Sequence, residues 1–259
     1  MSYDPSSTSS SSKLHKNSVA FSVKSDRSYC QVLLSNVACA QHVGTLKGVS
    51  PLHRRVAFGS ILLLAAAARL WGLAEYPPGL FPDQAANGED ALEILDGRLQ
   101  VFSPRNNGRE SLFFYVQALT VGLFGIGVWQ IFLGSALVGI ATVAATYAAG
   151  RRVLGVGPSL LAAFFLATNP WHVTLSRTGF RAVTAPLFIA LALLCIARVL
   201  KPREGVPRRR DAVLAGLFTG LGLYTYASFR AFIVFLLICG SWALVRAAWV
   251  RSFRSRVRA

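Results

Sequence analysis

VAFGSILLLAAAARLWGLA (residues 56–74) runs straight into EYPPGLFPDQAANGEDALEILDGRLQVFSPRNNGRE (75–110). As a helix, 56–74 is about 28 Å long at ~1.5 Å per residue, enough for a hydrocarbon core of ~30 Å. The second stretch holds seven of the chain's eleven acidic residues. An apolar span that opens into a charged loop punctuated by Pro and Gly reads as an all-α integral membrane protein. Its chemistry is expected in that loop, at the membrane edge. His53, Arg54 and Arg55 precede the span and place the N-terminal side in the cytoplasm. Arg69, near the other end, is expected to snorkel outward.

Composition agrees. The 259 residues are 53% hydrophobic and 15% charged, with mean hydropathy +0.47, as in polytopic membrane proteins. The net charge of +16 does not indicate nucleic acid, because the cations sit between and beside apolar runs, as positive-inside loops do. Cys195 and Cys239 lie in apolar segments, and Cys30 and Cys39 lie in the N-terminal tail. Their spacing matches no zinc pattern, and His15, His42, His53 and His172 are scattered, so no metal site is expected.

Residues 1–52 are Ser-rich and basic, with no long apolar core. They read as a disordered tail, not a secretory signal. Residues 53–259 form the membrane domain, with 75–110 as its first outer loop. Further apolar segments follow at 111–127, 129–149, 158–175, 182–199, 211–227 and 230–249, giving six to seven transmembrane helices. The basic linkers are 150–157, 201–210 and 251–259. All three fall on the cytoplasmic side if 111–127 lies in or re-enters the outer interface, which leaves six crossings. The acidic loop, 176–181 and 224–230 are then outside.

Within the loop, Pro77 and Pro78 stop the first span. Pro82 opens a helical pattern over 83–96, closed by Gly97. Asp83, Asn87 and Asp90 share one face of it. A carboxylate at Asp83 suits a general base for an acceptor hydroxyl or amine. It also suits a divalent cation bound through oxygen, or a helix-start carboxylate that favours the dipole. The residues alone leave these three open. Glu89, Asp90, Glu93 and Asp96 read as the solvated face.

Next, 104–110 offers Arg105, Asn106, Asn107, Arg109 and Glu110 ahead of an aromatic run at 112–115. Guanidinium forks suit phosphate oxygens, and amides and aromatics suit sugar rings. The plainer reading is a solvated turn with an Arg109–Glu110 pair. Arg177 and Arg181, four apart, are outside in the six-crossing arrangement, against the positive-inside trend. That points to lipid-phosphate binding. With a seventh crossing they are cytoplasmic anchors. Walker A, HExxH and GxSxG patterns are absent. The spans carry few ionisable residues away from their ends, which argues against a transporter or channel.

The runs YPPGLFPDQAANGEDALEILDG (76–97), VFSPRNNGRESLFFYVQAL (101–119), SALVGIATVAATYAAGRRVLG (135–155) and SRTGFRA (176–182) together resemble the bacterial branch of the dolichyl-phosphate-mannose–protein mannosyltransferase family. These are membrane glycosyltransferases of the GT-C class. The resemblance implies transfer of a sugar from a polyprenyl-phosphate carrier to a protein, lipid or glycan acceptor outside the cytoplasm, at a bacterial inner membrane. The base of the family's Asp-Glu pair falls on Asp83. Its partner position is Gln84 here, a departure that alters acceptor or metal contacts. The Gly-Arg-Glu segment falls on Gly108, Arg109 and Glu110. A helix position that often carries Arg is Phe132 here. Arg109, Arg177 and Arg181 are then expected on the donor phosphate, and Asn106, Asn107 and Glu110 on sugar or acceptor. No cofactor is implied beyond the divalent cation already considered. Family members continue into further spans and an outer domain, so this chain is expected to represent their N-terminal portion. The competing reading is a non-catalytic module that binds lipid phosphate or a partner subunit.

Overall fold

The computed structural model describes residues 50–76, 78–105, 108–202 and 208–258. The Ser-rich tail up to residue 49, Pro77, and the candidate residues Asn106 and Asn107 lie outside them. The chain divides into two units at Lys47/Gly48, and the described residues all belong to the second.

Apart from one short hairpin, the regular structure among these residues is helical. The helices are α1 (Pro51–Leu70), α2 (Pro82–Leu95), α3 (Leu112–Phe124), α4 (Val128–Val153), α5 (Val156–Thr168), α6 (Pro170–Arg177), α7 (Thr184–Leu200), α8 (Arg209–Gly222) and α9 (Phe229–Arg258). Three stretches are long and apolar enough to cross a membrane: Val128–Val153, Arg181–Leu200 and Phe229–Arg246. The hairpin pairs β1 (Phe102–Ser103) with β2 (Arg109–Glu110). Gly108 makes the turn at φ 88°, where a Cβ would fall 2.5 Å from the Phe102 ring, so both backbone and space demand glycine.

Proline and side-chain caps set several boundaries. Ser50 accepts from His53 N, and Pro51 opens α1 without a donor to lose. The apolar run 158–175 is not one helix, contrary to expectation. Asn169 leaves the helical region, accepts from His172 N at 3.0 Å and starts α6, with Pro170 at its first position. Proline lacks the N–H that α5 would need to continue. The run 211–227 likewise stops early, at Gly222.

Helix α1 runs antiparallel to α4. Phe58 near its start stacks on Tyr147 with ring centroids 4.1 Å apart, whereas Arg69 near its end lies against Gly139. Ala65, Val143, Ala163 and Ala167 form the buried floor between α1, α4 and α5. Small residues let these backbones approach closely where lipid supplies no hydrophobic drive.

Helix α4, 26 residues long, spans about 39 Å and outruns a ~30 Å core. Its first part is covered by α3, which doubles back on it. Thr120 Oγ1 donates to Gln130 O at 2.8 Å, and Gln117 Nε2 donates to Ile131 O at 3.2 Å. At 13 residues, α3 reaches about 20 Å, short of that core. Phe113 and Phe114 bury fully against Ala91, Ile94, Val138 and Val183, which seats the loop helix α2 on this hairpin. Each such ring contributes about 1.5–3 kcal/mol.

One end of the bundle gathers the loop, 176–181 and 224–230. Leu112 N donates to Tyr224 O, Asn87 Nδ2 to Gly179 O, and Arg177 to Tyr76 O. At the other end Arg152 donates to Lys201 O at 2.6 Å, and Arg198 pairs with Asp211 at 3.6 Å. The segments thus sort by end as they do in the six-crossing arrangement.

Candidate functional site

Asp83 is exposed in the first turn of α2, where the helix dipole favours a carboxylate. Gln84 beside it is buried. Its Oε1 accepts from Phe81 N at 2.9 Å and closes the start of the helix. This position, which differs from the family pattern, is therefore occupied by a cap.

Asn87 and Asp90, one and two turns further on, face inward and hold Arg109. Arg109 Nη1 donates to Asn87 Oδ1 at 2.5 Å, and Nη2 donates to Asp90 Oδ2 at 2.9 Å. The guanidinium lies over the Phe114 ring, 5.2 Å from its centroid. Arg109 is 3% exposed and Asp90 1%. Asp90 thus departs from the solvated face expected for it. It also accepts from Ser103 Oγ and Gln100 Nε2, and this network pins the hairpin to α2. The sequence signal was present in the i, i+4, i+7 face, but nothing in it marked the face as buried. Glu89 and Glu93, in contrast, lie toward the surface and clasp Arg105. Asp96 stays in solvent beside Arg98.

Burial pulls the Arg109 guanidinium below its ordinary value, and the Asp90 carboxylate opposes that fall. Arg181 pulls in the same direction as burial, and Asp83 opposes it. Asp83, Arg109 and Arg181 therefore share one electrostatic neighbourhood.

Glu110 is the junction of that neighbourhood. Its Oε2 accepts from Arg181 Nη1 at 2.9 Å, and Arg230 Nη2 lies 3.6 Å from Oε1. Arg181 packs over the Tyr226 ring at 5.2 Å, and Tyr226 tilts against Phe180 at 6.0 Å. The Arg230 side chain is 70% exposed. Sequence reasoning missed Arg230 and Tyr226. Both lie at the start of the last span, and only the fold brings them beside Glu110.

Arg177 is engaged otherwise. Its fork donates to the carbonyls of Ala68, Arg69, Trp71, Gly72 and Tyr76, the C-terminal end of α1 and the turn beyond. A guanidinium there satisfies acceptors that a helix end leaves unpaired. Arg69 does the reciprocal service for α5. It does not snorkel but is fully buried, donating to Leu166 O and Ala167 O and contacting Ser176 Oγ and His172 Nδ1. These two arginines lock α1, α5 and α6 beneath the loop.

The carboxylates nearest this cluster, Asp90 and Glu110, are already taken by arginines. Among the described residues no three His, Cys, Asp or Glu side chains converge. The donor set does not fit a cation caged by the protein, and no chemical step below is routed through one. The arrangement offers an accessible carboxylate, a fixed platform further along the same helix, and two surface-facing guanidinium groups about Glu110.

Residues 111–258 match the family model described as dolichyl-phosphate-mannose-protein mannosyltransferase. Arg109 and Glu110 lie just before the matched stretch, and Asp83 lies further upstream. The chain is 27% identical over 125 residues to YycA of Bacillus subtilis (strain 168), named a mannosyltransferase. That match covers 48% of this chain and 18% of YycA. The fold is similar to the crystal structure of ArnT from Cupriavidus metallidurans bound to undecaprenyl phosphate. The TM-score is 0.58 at 20% identity, covering 76% of this chain and 38% of that one. The chain therefore spans well under half the length of either relative. With more than half of its residues inside the family match, the chain belongs to the dolichyl-phosphate-mannose-protein mannosyltransferase family of GT-C class membrane glycosyltransferases.

Proposed function

We propose that this chain carries the reaction site of a glycosyltransferase that moves a sugar from a polyprenyl-phosphate carrier to an acceptor outside the cytoplasm. The observation that carries this reading is the exposed Asp83 carboxylate on the helix whose Asn87 and Asp90 hold the buried Arg109, next in the chain to Glu110 with its Arg181 and Arg230. Family membership and the ArnT-like fold support the reaction class.

In this mechanism an acceptor hydroxyl or amine lies against an Asp83 oxygen, which takes its proton as the acceptor attacks the anomeric carbon. The bond from that carbon to the phosphate oxygen breaks, and polyprenyl phosphate leaves with the bonding electrons. Arg181 and Arg230 are placed to neutralise the departing phosphate, with Glu110 releasing one guanidinium to it. Tyr226 and Phe180 offer the apolar face that suits a sugar ring. Asn106 and Asn107, which follow Arg105 in the sequence, are proposed to hydrogen-bond the sugar. Gln84 and Arg177 act here through the helix ends they close, keeping Asp83 and the 176–181 segment in place.

The membrane arrangement that goes with it has six crossings, by α1, by α4, by α5 with its continuation α6, and by α7, α8 and α9. Helices α5 and α8, at 13 and 14 residues, are as short as α3, so the basic linkers and not helix length decide the count. Helix α3 lies at the outer interface, and the basic linkers are inside. Radiolabelled sugar transfer by membranes carrying the chain, from a panel of polyprenyl-phosphate sugars, tests the activity. Transfer dependent on Asp83 supports it, and equal transfer without Asp83 removes the base.

A further inference from the structure

A cavity of ≈350 Å³ opens at the end of the bundle opposite the acidic loop, lined by Pro51, Arg54, Arg55, Phe58, Tyr147 and Arg151, with Val156 at its rim. Three guanidinium groups enter it from two helices. Its floor is the Phe58–Tyr147 stack, with Arg151 over the Tyr147 ring at 5.6 Å. The starts of α1 and α5 both border it, and the first turn of α5 has no side-chain cap on its donors.

The helices that form the cavity carry no acidic residue of their own. Residues 27–74 and 111–203 contain no acidic residue at all, and α1, α4 and α5 lie wholly within those limits. Among the described residues, neither Arg55 nor Arg151 has a carboxylate within ion-pair distance. The acid nearest in role, Asp211 at this end, is already paired with Arg198. Arginine forks over an aromatic floor match a phosphate bearing an organic substituent.

We infer that this cavity binds the phosphate headgroup of an anionic phospholipid on the basic side of the membrane, at a site separate from the outer one. The lipid's phosphodiester lies between Arg55 and Arg151, its glycerol rests on Tyr147 and Phe58, and its chains leave through the open mouth into the surrounding lipid. The site does not depend on the outer reaction.

The test uses the full chain in phosphatidylcholine nanodiscs, with fluorescent phosphatidylglycerol as probe. Wild type is expected to bind it saturably and in preference to labelled phosphatidylcholine. The Arg55→Gln/Arg151→Gln variant is expected to bind about thirtyfold more weakly, about fivefold for each arginine. Arg246→Gln, which removes one charge outside the cavity, is expected to stay near wild type. Arg55→Lys/Arg151→Lys keeps both charges and is expected to recover part of the binding, which separates charge loss from misfolding. Equal binding of the two lipids by wild type, or an equal loss in Arg246→Gln, overturns the site. Displacement of the probe by millimolar inorganic phosphate overturns the lipid assignment in favour of a free anion.

Discussion

Arg109 Nη2 lies 2.9 Å from Asp90 Oδ2, and both side chains are buried. This pair turns a surface loop into a fixed platform, because it joins β2 to α2 two turns along the helix from Asp83. Asp90→Ala leaves a buried guanidinium without its carboxylate, at a cost of about 3–5 kcal/mol. The expected outcome is a large fall in the thermal midpoint in detergent. An unchanged midpoint would show that the loop is held by other contacts.

Arg69 supplies donors to α5 carbonyls, to Ser176 and to the His172 ring at once. Arg69→Leu should therefore strip several buried acceptors of partners, each costing about 1–3 kcal/mol. Arg69→Lys keeps the charge but not the planar fork. It is expected to recover only a minor part of the loss, measured as monodisperse yield and thermal midpoint in detergent. Full recovery by lysine would show that charge alone holds this junction.

Arg181→Gln separates donor binding from stability. The guanidinium is partly exposed and bound to Glu110, so folding should survive its loss. Donor affinity should fall about ten- to a hundredfold, the effect of one charged hydrogen bond. Titration with a polyprenyl-phosphate sugar measures it, and unaltered affinity would take Arg181 out of the donor site.

A topology reporter fused after Arg210 is expected to report the cytoplasm. That follows from Lys201 sharing an end with Arg152 and from the positive-inside rule. An extracytoplasmic signal would require a seventh crossing by 111–127.

Much of this arrangement was legible in the residues. Apolar runs and basic linkers indicated the bundle, and Pro82 with Gly97 marked the loop helix. The break in 158–175 was signalled by Asn169 and Pro170 but was overridden by the apolar run around them. Burial of Asp90 and Arg109 was not legible, because a charged loop pattern gives no sign that two opposite charges face each other inside. Arg177 looked like a phosphate ligand because it falls outside in the six-crossing arrangement, against the positive-inside trend, yet the carbonyls it meets lie over a hundred positions earlier. Arg69 was misread too, its partners being supplied by the later helices α5 and α6.

The most direct measurement is sugar transfer from polyprenyl-phosphate donors by membranes carrying the wild-type chain or Asp83→Asn at matched amounts. The mechanism predicts transfer by wild type and a loss of about a hundredfold or more in the variant, with folding and donor binding retained. Transfer by Asp83→Asn at the wild-type rate would contradict it.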